Sequence, residues 1–143
     1  MARVTRDWVL GLAAAGFLVL AAGCVPVGLV GTTVSDVSVT PASMAYGGGQ
    51  ATVTAYIEGS GKVSGIAGYP DDRADAISMT PASPGSRLYR GTVPIRPNVT
   101  TEPMTVLIVV RVLDSHTNDL LDYGHTDLTV GAAPSLPPAP PTL

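Results

Sequence analysis

Apolar and polar side chains alternate along most of the chain between Val34 and Gly131, the two-residue period of strands with one buried face. Glycine, proline and aspartate punctuate that alternation. They predict strands over Val34 to Thr40, Gln50 to Glu58, Lys62 to Tyr69, Ala76 to Thr80, Arg87 to Ile95, Thr105 to Leu113 and His125 to Val130. The second shows the period most clearly, with Val53, Ala55 and Ile57 on one face and Thr52, Thr54 and Tyr56 on the other. The sixth is apolar almost throughout, which predicts a central strand, with Arg111 as its one interruption. No helical period of useful length occurs. The expected fold is all-β, a sandwich of about seven strands.

Ahead of this region the pattern changes. Arg3 and Arg6 precede an uncharged run from Trp8 to Val34, rich in Leu, Ala and Val up to Leu20, the layout of a secretory signal peptide. Ala21, Ala22 and Gly23 then stand directly before Cys24, the one cysteine of the chain. This segment resembles the lipobox of bacterial lipoproteins, although the usual leucine three residues before the cysteine is Ala21 here. The resemblance implies a diacylglycerol thioether on Cys24 and cleavage between Gly23 and Cys24. A lone thiol in an exported domain has no internal disulfide partner, and acylation would remove its exposure to oxidation. Two other readings stay open: an uncleaved spanning anchor, since the run exceeds the ~20 residues a membrane helix needs, and a buried structural cysteine. Pro26 and glycines 23, 28 and 31 weigh against the anchor. The organisation expected is a signal peptide over 1–23, a lipidated tether over 24–33, one β-domain over 34–131 and a tail over 132–143. That tail is too rich in proline for strand or helix, and is expected to be disordered or semi-rigid.

Three segments resemble bacterial immunoglobulin-like domains. They are Val39-Thr40-Pro41-Ala42-Ser43-Met44 leading into Gly47-Gly48-Gly49-Gln50-Ala51-Thr52-Val53-Thr54-Ala55, then Leu88 to Asn98, and Val106 to Asp114. The resemblance spans about Val34 to Gly131 and implies an immunoglobulin-like sandwich, with a fibronectin type III-like one as its neighbour. It departs from antibody domains in lacking their inter-sheet cysteines and core tryptophan, because Cys24 and Trp8 both belong to the leader region. What it implies is a structural or protein-interaction module of a bacterial envelope, held to the membrane on its extracytoplasmic side by the lipid. A module for glycan or cell wall is the alternative. Catalysis is not expected, since no nucleophile, base and oxyanion elements are recognisable.

Charge narrows the choice further. From Cys24 onward Lys62 and five arginines face ten carboxylates, a mildly acidic balance with no basic patch for nucleic acid. Asp71, Asp72 and Asp75 form one acidic cluster, and Asp114, Asn118, Asp119 and Asp122 another; the second is the better candidate for a weak calcium site. Both are also ordinary turn chemistry. His116 and His125 lie near that second loop, too few for a zinc site, and are expected to be exposed hairpin residues. Gly47-Gly48-Gly49 precedes a strand rather than a helix, so a corner with positive φ is expected instead of a phosphate cradle. Tyr56, Tyr69, Tyr89 and Tyr123 would have to share a face to stack on sugars. Asn98-Val99-Thr100 matches a glycosylation sequon and is read as a turn.

Overall fold

The computed structural model describes residues 31–142. The expected signal peptide, the expected cleavage point at Gly23, Cys24 and most of the expected tether lie outside the described residues. The described chain is all-β, with nine strands in two sheets and no helix. In chain order they are β1 (Thr33–Thr40), β2 (Ser43–Met44), β3 (Gly49–Glu58), β4 (Lys62–Gly68), β5 (Ala74–Ser78), β6 (Thr80–Pro81), β7 (Leu88–Ile95), β8 (Met104–Leu113) and β9 (Leu120–Val130). The first sheet has the order β1-β3-β7-β6 and the second β2-β9-β8-β4-β5. All pairings are antiparallel except the short parallel contact of β2 with β9.

The alternation of the sequence explains the layering. Val53, Ala55 and Ile57 of β3 and Val93 and Ile95 of β7 point inward from the first sheet, against Val106, Ile108, Val110 and Val112 of β8 and Leu128 and Val130 of β9. Each of these residues except the smaller Ala55 gains about 1.5–3 kcal/mol from burial. β8 does lie between two long partners, β9 and β4, as its near-continuous apolar run requires.

Where strand ends differ from the expected ones it is mostly by one or two residues, and three of the differences have a local reason. β9 begins at Leu120 instead of His125 because its inward positions are not apolar at the start. Gly124 lies beneath β1, where a Cβ would come within 2.7 Å of Val37 Cγ2, and the Asp122 carboxylate accepts the Val34 amide at 2.7 Å. β5 begins at Ala74, so Asp75 is a strand residue and not part of a loop. β4 stops at Gly68, and Tyr69 closes the following turn by donating its amide to Arg73 O at 2.9 Å. β2 and β6 are two residues each, too short to leave a period.

The glycine corner behaves as expected at two of its three positions, with φ of 71° at Gly48 and 152° at Gly49. A Cβ on Gly48 would overlap the Ile95 carbonyl, so this corner also needs glycine for close approach.

Candidate functional site

Strand ends fix the site. β4 and β7 finish, and β5 and β8 start, at the same end of the sandwich, where the 69–73 turn faces the 96–103 connection. Between them lies a cleft of about 740 Å³, walled by Tyr69, Pro70 and Arg73 on one side and by Pro97, Val99, Pro103 and Met104 on the other. Val99 is 86% exposed at its rim.

Two polar clusters hold these walls. In the first, the Arg96 guanidinium donates to both Asp75 oxygens, Nε to Oδ2 at 2.9 Å and Nη2 to Oδ1 at 2.7 Å. Its carbon lies 5.3 Å from the Tyr69 ring centre, a cation–π distance. The Arg96 amide donates to the Tyr69 hydroxyl at 3.2 Å. The guanidinium beside Asp75 holds its carboxyl below the usual range, while burial pushes the Tyr69 phenol up, so it stays neutral at physiological pH. Arg96 is raised mainly by Asp75.

In the second, Asn98 is 2% exposed, the one buried polar residue among the described residues. Its Nδ2 donates to Glu102 O at 2.7 Å and Gly131 O at 3.0 Å. Its Oδ1 accepts the Thr100 amide at 3.0 Å and the Thr100 hydroxyl at 2.7 Å, and its amide donates to Tyr46 O at 2.7 Å. Asn98 thereby ties the β7–β8 connection to the end of β9 and to the turn before β3. The sequon reading as a turn was correct in kind but missed this role. Arg96 was missed altogether, since nothing in one dimension pairs it with Asp75.

Asp75 contributes stability with a definite pH dependence. Its folded value is depressed, so the contribution is present above the ordinary carboxylate range and is lost as pH falls through the lowered value. Asp75→Ala is expected to melt below the wild type at pH 7, with the gap closing as pH falls below roughly 4. Thermal unfolding at pH 7 and pH 2.5 checks this; an equal gap at both would contradict it.

The second acidic cluster is dispersed. Asp114 Oδ1 accepts the amides of His116 at 2.8 Å and Thr117 at 2.9 Å, bonds that hold its carboxyl below the usual range. Asn118 Oδ1 accepts from Lys62 Nζ at 3.1 Å, Asp119 O accepts the Asp114 amide, and Asp122 is bound to β1. Among the described residues no three His, Cys, Asp or Glu side chains gather where a metal ion would sit. In the first cluster Asp71 pairs with exposed Arg73 at 3.2 Å, and Asp72 occupies a left-handed turn position with φ 65°.

The histidines separate, His116 in the turn after β8 and His125 on β9 opposite Val109. Arg111 points outward and donates to Ser64 Oγ at 3.2 Å. The tyrosines do not form one strip: Tyr56 and Tyr123 lie on the outer faces of different sheets, Tyr69 is buried, and Tyr89 packs against the core.

No family model and no curated protein matches the chain. Among solved structures, a DUF4785 family protein from Legionella pneumophila is similar, with a TM-score of 0.47 and 14% identity over 67% of this chain. The matched region spans 28% of that protein's length.

Proposed function

We propose that the protein is a bacterial envelope lipoprotein, anchored through a diacylglycerol on Cys24, whose immunoglobulin-like domain is a non-catalytic structural or protein-interaction module. The strand order supports the immunoglobulin-like assignment. β1-β3-β7-β6 corresponds to the A-B-E-D sheet of such domains, and β9-β8-β4 to G-F-C, with β5 as an added strand beside C. β6 beside β7 occupies the D position, which favours this assignment over a fibronectin type III-like one.

The observation that carries the interaction reading is the cleft itself. Its Arg96 and Asn98 groups are bonded within the chain, and what it offers a partner is a concave surface of proline, valine and methionine flanked by the charged side chains of Asp71, Arg73 and Glu102. The point where the described chain enters the domain and the cleft lie at opposite ends. The chain enters at Thr32 beside the β3–β4 turn, where Thr32 Oγ1 donates to Ser60 O at 3.0 Å. The cleft lies at the opposite end of β3, roughly 30 Å further along ten residues of strand.

A photo-crosslinking residue at Val99 tests this in the full chain expressed in bacteria. Protein adducts are expected from Val99 and not from Thr54 on the outer face of β3. Adducts to glycan, or none at Val99, would contradict the reading.

A further inference from the structure

Of the four sheet edges among the described residues, β1, β6, β2 and β5, three are closed to further pairing. β1 breaks its register between Ser35 and Ser38, with Asp36 at φ 51°, and turns against β9 through the Val34 amide on Asp122 and Val37 over Gly124. β2 and β6 are two residues each, and β6 carries Pro81. The Ala82 amide donates to Leu88 O, so strand alternation directs the backbone groups of Arg90, Thr92 and Pro94 to the same side of β7, and beyond β6 Pro94 has no amide to give. Bulges, short strands and prolines are the devices that keep edges from pairing.

β5 has none of them. It runs over Ala74–Ser78 without proline, lysine or register shift, and it pairs with β4 alone. Arg73 O accepts the Tyr69 amide, so Asp75 and Ile77 turn their backbone groups toward β4 while Ala74 and Ala76 turn theirs away. The side chains of Ala74 and Ala76 are exposed and short enough to let another backbone approach. An inward-pointing charge would deter pairing, but the Asp75 carboxylate is matched by both bonds from Arg96. Past Ile77 the Ser78 carbonyl lies over Gly91, which ends the open stretch.

Beside β5 lies an open recess of about 510 Å³, walled by Ala76 on one side and by Pro94 and Ile95 on the other; it shares Arg96 and Pro97 with the cleft. We infer that β5 is a strand-pairing edge. An extended segment of the partner protein adds to the second sheet there, hydrogen-bonded to Ala74 and Ala76, places an apolar side chain in the recess and continues into the cleft. Main-chain bonds hold such a strand, and pockets for alternate side chains select it. The inference rests on the reading of the cleft as an interaction site and names the form in which the partner arrives.

Photo-crosslinking residues at Ala76 and, separately, at Val99 in the full chain expressed in bacteria test it. The expected result is adducts from both positions to one protein, identified by mass spectrometry. Adding Ala76→Pro or Ala74→Pro to the Val99 chain should lower its adduct yield by about fivefold or more, because an outward amide is lost, whereas Ala76→Ser should leave the yield unchanged. Proline is tolerated on edge strands and at the first residue of a strand, and thermal unfolding identifies the variants that keep the fold. Val99 adducts that persist in a folded proline variant, or that form when Ala76 gives none, would overturn the strand pairing and leave the cleft reading in place. No adduct at Val99 would overturn both.

Discussion

Gly91→Val is expected to cost more stability than any other single change considered, about 3 kcal/mol or more. Gly91 sits on the inward face of β7 where the chain crosses from β5 in one sheet to β6 in the other. A Cβ there would lie 2.6 Å from the Ser78 carbonyl oxygen, 2.7 Å from Met79 Sδ and 2.8 Å from Ile77 Cγ2. Met79 can swing aside, but the Ser78 oxygen belongs to the backbone of the crossing segment and moves only with it. Alanine already makes this contact, and valine adds two methyl groups in a packed interior. Gly47→Ala is the control, since nothing lies within 4 Å of its Cβ position. Denaturant unfolding should show a large fall in midpoint for Gly91→Val and almost none for Gly47→Ala; equal midpoints would contradict the packing described.

Asn98→Ala comes next, at about 2–4 kcal/mol. The substitution removes two donors and one shared acceptor, leaving the Gly131 carbonyl and the Thr100 amide without their side-chain partner, while the Glu102 carbonyl keeps only the Thr100 hydroxyl at 3.0 Å. The loss therefore includes the cost of desolvated groups left unpaired as well as the bonds themselves. Asn98→Asp should be at least as damaging, because a carboxylate would face two carbonyl oxygens. Val99→Ala, one residue away but 86% exposed, should stay within about 0.5 kcal/mol of the wild type. The expected signature is a lower midpoint with an unchanged slope, since the same surface is exposed on unfolding. A wild-type midpoint for Asn98→Ala would mean that the connection is held by something else.

These two residues show where the sequence could and could not be read. β3 and β8 were legible because every second side chain is apolar and buried, so one-dimensional alternation and three-dimensional layering coincide. β9 was only half legible. Its inner positions near Asp122 and Gly124 are covered by β1, which demands a small residue and a carboxylate where alternation would look for apolar ones. The site was less visible still. The Arg96–Asp75 pair joins residues 21 apart, and Asn98 reaches Gly131 across 33 positions. Asn-x-Thr after a proline does announce a side-chain-capped turn, but its burial follows from three segments meeting. The acidic clusters drew attention for their composition; Asp71 and Asp114 take partners within their own turns, while Asp75, Asn118 and Asp122 are bonded to Arg96, Lys62 and the Val34 amide far along the chain.

Lipid attachment at Cys24 is the central claim about what the protein is, and the intact mass of the membrane-extracted protein from its native host tests it most directly. The account predicts a chain beginning at Cys24 with the added mass of its acyl chains, and no such species from Cys24→Ala. A chain retaining Met1 to Gly23 and carrying no lipid would contradict it.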